Sequence, residues 1–247
     1  MKVLEIYKIG GNCIDNEQVL DTFLNDFTGQ AQSKILVHGG GVMAGQMANS
    51  LNIPVKMIDG RRITDRETLK IVTMVYAGWA NKNIVAQLEK RGCRAMGLSG
   101  ADGSTMVSVQ RNPLPVDFGF VGDLTPEGIN TDLINDLLRL GITPVFCAIT
   151  CTKKGQLLNT NADTVAGVLA SAMRKYFHVR LIFVFDKEGV LYPQTGEVIP
   201  LLSKKQYQVL KEQKIVTSGM LPKLDNAFAA LEKGIEEVYV GKTKLQL

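Results

Sequence analysis

The chain has 247 residues, of which 45% are hydrophobic and 21% charged, with a net charge of +4; that is enough for one large α/β domain or two joined lobes around a sizeable core. The 28 lysines and arginines are dispersed, which argues against nucleic acid as a partner and suits a small anionic substrate. No stretch approaches a membrane span, the opening MKVLEIYKIGG breaks its apolar character at Glu5 and Lys8 as no signal peptide does, and Cys13, Cys93, Cys147 and Cys151 lack zinc-like spacing, so buried thiols in a reducing cytoplasm are expected.

VLEIYKI (3–9) reads as a first strand ending at Gly10-Gly11, and Asn16 opens a helical stripe of Val19, Leu20, Phe23, Leu24 and Phe27. KILVH (34–38) is the second strand. Three glycines then lead into a helix with Met43, Met47 and Leu51 at helical spacing. Thr64-Asp-Arg-Glu67 reads as a capping box, opening a long helix with Leu69, Val72, Tyr76, Trp79 and Leu88 on one side and a stop at Gly92. RAMGL (94–98) and TMVSV (105–109) read as strands around a glycine-rich turn, and residues 110–128 as a hairpin or irregular excursion. A helix near 131–140 precedes strand PVFCAI (144–149), and NTNAD (159–163) opens the small-residue helix TVAGVLASAM. Strand VRLIFVF (179–185) ends at Asp186; helices near 204–213 and 223–233 precede EVYVG (237–241), read as the last strand.

Strands separated by helices imply a three-layer α/β/α sandwich with a mainly parallel central sheet. Ligands of such sheets collect beyond the carboxyl ends of the strands. Lys8-Ile-Gly-Gly, His38-Gly-Gly-Gly, Leu98-Ser-Gly and Asp186 all fall there, which points to one site.

HGGGVMAGQM matches neither GxxxxGK[ST] nor GxGxxG. It offers backbone amides at a helix entrance but no lysine of its own, so an anion held there needs cations from elsewhere; a tight strand-to-helix turn is the other reading. Lys8, at the end of an apolar strand, is one candidate cation, or else a snorkelling lysine. Lys223, in the first turn of a helix after SGMLP, is a second, although a cation there opposes the helix dipole. In NTNAD, Asn159 or Asn161 suits a helix cap, and Asp163 is either a dipole-favoured first-turn acid or a carboxylate holding two lysines over a transferring phosphoryl group. The adjacent arginines of GRRIT (60–64) are solvated loop charge or a fork for a substrate carboxylate.

YKIGGN, ILVHGGG, GRRIT, GLSGADG, GFVGD, LLNTNAD, FDKEGVL and SGMLPK occur in an order and spacing similar to that of the amino acid kinase family, and the resemblance covers nearly the whole chain. It is strongest to the branch that phosphorylates the γ-carboxylate of N-acetyl-L-glutamate, or another N-acyl-glutamate, in arginine biosynthesis. The reaction implied is direct in-line attack of the carboxylate on ATP, giving an acyl phosphate and ADP without a phosphoenzyme. The resemblance implies that Lys8 and Lys223 act on the phosphoryl group with Asp163 organising them, and that Gly11 and Gly40 donate backbone N–H groups to it. Gly40 and Gly41 would border the substrate, Arg62 would bind its α-carboxylate, and Asn159 would contact the N-acyl glutamate. ATP would lie near Asp186, Lys187, Glu188, Gly189, Val190, Leu191, Ile215, Val216 and Thr217, with Mg²⁺ held through its phosphates and no metal ligands of the protein's own.

Residues 1–175 would then form the acyl-amino-acid lobe and 176–247 the nucleotide lobe, on one continuous sheet. Ala101 stands where many relatives have lysine, and Lys187-Glu188 replaces a small or hydrophobic pair. The chain opens on its first strand, without the amino-terminal helix of feedback-inhibited members, so an arginine-insensitive homodimer built on the helix at 65–91 is expected. Two alternatives were weighed: another small-carboxylate or carbamate kinase of the family, and, remotely, an HGGG-type esterase. The esterase would need Ser99 of GLSGA as nucleophile and His178 as base, and Gly97-Leu-Ser-Gly-Ala101 lacks the final glycine of G-x-S-x-G.

Overall fold

The structure, a computed structural model, describes residues 1–58, 60–184, 188–192, 195–213 and 220–247. Among these, eight strands form one sheet: β1 (Val3–Ile9), β2 (Ser33–His38), β3 (Ala95–Leu98), β4 (Thr143–Cys147), β5 (His178–Val184), β6 (Leu201–Ser203), β7 (Glu237–Val240) and β8 (Thr243–Gln246). Their order across the sheet is β6-β8-β7-β5-β1-β2-β4-β3, and every neighbouring pair is parallel except the β7–β8 hairpin. The mainly parallel α/β/α sandwich is the architecture the sequence implies. EVYVG is not the last strand, however: the chain turns at Gly241 and returns as β8.

The apolar rows decide the layers. Leu4 and Ile6 of β1, Ile35 and Val37 of β2, and Leu181 and Phe183 of β5 face one side, where the small-residue helix α7 (Ala162–Met173) packs with Val165, Ala166, Leu169 and Ala170 buried. The helix α9 (Leu221–Glu232) joins that side through Leu224, Ala227 and Phe228. On the other side Ile9, Leu36 and Val145 meet α2 (Glu17–Gly29), which Asn16 caps as expected, through Leu20, Leu24 and Phe27.

The long helix departs from the reading in two respects. Asp65, not Thr64, caps it, accepting a hydrogen bond from the Thr68 N–H at 2.8 Å; the Thr64 hydroxyl is engaged elsewhere. The helix is also not α throughout: Arg66–Thr73 and Asn81–Lys90 are α-helical, while Met74–Ala80 between them winds as a π-helix. Its wider i→i+5 turn rotates the apolar stripe, so the buried row runs Leu69, Val72, Tyr76, Ala80, Ile84 and Leu88 and leaves Trp79 68% exposed. TMVSV forms no continuous strand; Met106 and Val107 make single bridges, and Val109–Gln110 pairs antiparallel with Gly122–Asp123 across the excursion.

Candidate active site

Period-two alternation carries Leu4, Ile6 and Lys8 onto one face of β1. The first two meet the apolar body of α7, and Lys8, one step beyond the core, meets its first turn. There Lys8 Nζ lies 2.7 Å from Asp163 Oδ1, both side chains being largely buried. Asn161 caps α7 by accepting from the N–H groups of Asp163 and Thr164 at 2.8 and 3.1 Å, which fixes the turn that presents the carboxylate. The other Asp163 oxygen accepts from Asn226 Nδ2 at 3.3 Å. Asn226 belongs to α9, and Lys223, three residues earlier and half-buried, shares its face of that helix. Lys8, Asp163 and the first turn of α9 therefore converge, as the sequence implied.

The glycine run forms the adjoining floor. The β2 row Ile35, Val37 continues to Gly39, where a Cβ would stand 3.8 Å from that of Ala162 on α7. Gly40 has φ +154°, and a Cβ there would press to 2.8 Å against the Tyr76 ring, so this position admits glycine alone. Gly41 is the first residue of α3 (Gly41–Ser50), whose first backbone bond runs from the Ala44 N–H to Gly40 O. The N–H groups ahead of Ala44 thus have no use inside the helix. Gly11 likewise opens a short helix, Gly11–Asp15, in which Cys13 and Ile14 donate to Gly10 O. Both glycine entrances present backbone donors at the carboxyl ends of neighbouring strands.

His38 holds the floor from beneath. Its ring is fully buried, and burial brings its pKa down to about 4, so it is neutral. Nδ1 donates to Gly39 O at 2.8 Å, and Nε2 accepts from Asn81 Nδ2 at 2.9 Å, which also donates to Val145 O. The pair turns the Gly39 carbonyl toward the imidazole. Asn81, on the long helix, carries no signal in the sequence that distinguishes it from a surface residue.

Arg62 lies across the mouth of the floor. It follows the turn of a two-residue ribbon, Met57–Ile58 with Arg61–Arg62, and its Nη2 donates to Gly41 O at 2.9 Å. Burial pushes the Tyr76 phenol up, while the Arg62 guanidinium beside it pulls the other way. Tyr76 thus serves as both a wall against Gly40 and a rest for Arg62, a role that an apolar stripe position does not advertise. Asn159 ends the short strand Leu157–Asn159, and its Nδ2 lies 3.0 Å from the Thr64 hydroxyl.

Of the nucleotide set, Glu188, Gly189, Val190 and Leu191 stand against the β7–β8 turn. The Val190 N–H donates to Thr243 Oγ1 at 2.8 Å, and Glu188 pairs with Lys242 at 2.9 Å. Gly241 of that turn donates its N–H to Phe183 O, the register partner of Lys8, so this segment shares the sheet edge with the lysine. Asp186, Lys187, Ile215, Val216 and Thr217 lie outside the described residues. The esterase arrangement is absent: Ser99 Oγ donates to Asp102 in its own turn at 2.7 Å, beyond the carboxyl end of β3, whereas His178 begins β5 at the opposite edge.

The family model described as amino acid kinase matches residues 4–242. An acetylglutamate kinase from Parabacteroides distasonis is 46% identical over 242 residues, covering 97% of this chain and 94% of its own. One from Cytophaga hutchinsonii is 47% identical over 244 residues, covering 97% and 91%. Among solved structures, smu.665 from Streptococcus mutans superposes with a TM-score of 0.80 at 24% identity over 98% of each chain, a likeness of fold.

Proposed function

Because the chain belongs to the amino acid kinase family, we propose that it transfers the γ-phosphoryl group of ATP to the γ-carboxylate of N-acetyl-L-glutamate, a step of arginine biosynthesis. The observation that carries this reading is the convergence of the Lys8–Asp163 pair, two glycine entrances and Arg62 on one edge of the sheet.

Phosphoryl transfer needs positioning and positive charge around the equatorial oxygens more than covalent help. Arg62 takes the α-carboxylate, with Gly40 and Gly41 as the adjacent wall and Asn159 on the acylated amine. The γ-carboxylate then lies over the floor, in line with the γ-phosphorus, which the N–H groups of Gly11 and Gly40 steady. Lys8 and Lys223 follow the charge as it moves to the bridging oxygen, and Asp163 keeps Lys8 on station. ATP lies over residues 176–247 and the acyl amino acid over 1–175. Mg²⁺ enters on the nucleotide and would draw charge from its β- and γ-phosphates; among the described residues there is no group of three carboxylate, imidazole or thiol side chains to cage it, and Asp163 is already engaged by Lys8 and Asn226.

Four free thiols, three of them buried, favour a reducing compartment such as the cytoplasm, and no helix among the described residues is long and apolar enough to cross a membrane. The long helix supplies the surface for a homodimer: Met74 and Trp79 are 56% and 68% exposed. Sedimentation of the wild type as a dimer and of Trp79→Glu as a monomer would support it; a monomeric wild type would refute it.

ADP release measured with N-acetylglutamate, N-succinylglutamate, free glutamate, aspartate and carbamate tests the reaction. Turnover is expected with an N-acylated glutamate, and a response to free amino acids or carbamate alone would overturn the reading.

A further inference from the structure

We propose that Thr64 is a positioning residue of the acyl-amino-acid pocket, whose hydroxyl fixes the orientation of the Asn159 amide and ties it to the main chain of Arg62. The inference rests on the functional reading of Arg62 and Asn159 given above.

Thr64 is fully buried. Its hydroxyl carries a single proton, and 3.2 Å away stands Arg62 O, a carbonyl that can only accept. With the proton committed there, the hydroxyl oxygen offers lone pairs to its other neighbour, Asn159, at 3.0 Å. An asparagine amide turned the other way would set its own carbonyl against those lone pairs. Nδ2 therefore faces Thr64, and Asn159 Oδ1 and the second N–H remain for a ligand.

The hydroxyl itself has little room to move. The Thr64 N–H donates to Phe118 O at 2.9 Å, and Thr64 O accepts from the Phe120 N–H at 2.7 Å. Between them Gly119, at φ +72°, approaches so closely that a Cβ would lie 2.3 Å from Thr64 O. The Asn159 N–H in turn donates to Phe120 O at 2.9 Å. Arg62, Thr64, residues 118–120 and Asn159 are thus one hydrogen-bonded unit, drawn from three distant parts of the chain. Thr64 is also free of the duty its sequence position suggests, since Asp65 caps the long helix. Removing its hydroxyl leaves that cap intact.

The test is a double-mutant cycle in the full-length chain, using Thr64→Val, Asn159→Ala, the pair, and Thr64→Ser. In Thr64→Val the KM for N-acetylglutamate is expected to rise about tenfold, the scale of one hydrogen bond in a binding site, with kcat and the KM for ATP within about twofold. Thr64→Ser, which keeps the hydroxyl, restores both. In the Asn159→Ala background Thr64→Val adds less than about twofold, because the amide it would orient is gone. A full tenfold effect in that background, serine as impaired as valine, or equal rises in both KM values would each overturn the proposal. A wild type that turns over only another acceptor of the panel overturns the functional reading instead, and the same cycle with that acceptor still decides the role of Thr64.

Discussion

Two cations flank the glycine floor and are held by different means. Lys8 is fixed by a carboxylate 2.7 Å from its ammonium, so the pair as a whole is close to neutral. Arg62 is fixed by neutral oxygens, the carbonyl of Gly41 at 2.9 Å and the phenol of Tyr76, and keeps its full charge for an incoming anion. The contrast separates attraction from catalysis. A carboxylate ligand meets an uncompensated guanidinium at Arg62, whereas a phosphoryl group has to compete with Asp163 for Lys8. It competes best when its own charge is most displaced, that is, in the transition state.

Breaking the Lys8 side gives the largest effect. Lys8→Met and Lys223→Met are each expected to lower kcat by about 100-fold or more, the scale for removing one electrostatic stabiliser, with both KM values within a few-fold. An unchanged kcat at saturating ATP and acyl amino acid would refute the assignment. Next comes Arg62→Lys, which keeps the charge but loses the fork. The KM for N-acetylglutamate should rise by about one to two orders of magnitude while that for ATP stays put, and equal rises would place Arg62 outside the substrate pocket.

The smallest effect concerns the floor between the two. His38 is neutral in the fold, with its pKa lowered from 6.5 to about 4. Between those values the unfolded chain binds a proton that the folded chain refuses, so stability falls as the pH drops from 6.5 toward 4 and is full above that window, by ~3 kcal/mol if the whole difference is realised. Urea unfolding of the wild type between pH 7 and 5.5 should show this decline, and His38→Asn should flatten it. Parallel slopes in the two proteins would mean that the imidazole is not held neutral.

The groups that meet the ligand were legible because their chemistry is local. Lys8 before two glycines, the arginine pair, and Asp163 after an asparagine cap each announce themselves within a few residues. The groups that hold them were not. Tyr76 and Asn81 serve the site from a helix whose winding changes between them, and a stripe counted at 3.6 residues per turn assigns Trp79 to the core instead. Thr64 looked like a cap because Thr and Glu three apart suit one; the neighbouring Asp65 competes for the same amide and wins. In the fold, β6 was missed because Leu201–Ser203 is only three residues long, and β8 because it leaves β7 through a two-residue turn.

The π-wound stretch Met74–Ala80 has a consequence for how this helix can vary between relatives. A turn closed by i→i+5 bonds contains one residue more than its α counterpart, so the segment behaves as a stored insertion. Deleting a residue there would let the helix run on as regular α, but would swing Asn81–Lys90 by about 100°, taking Asn81 from His38 and Val145. A homologue one residue shorter at this point would need a different partner for the histidine beneath its glycines. A gap placed here in an alignment would therefore mark a re-engineered floor, although gaps elsewhere on the surface mark only a trimmed loop.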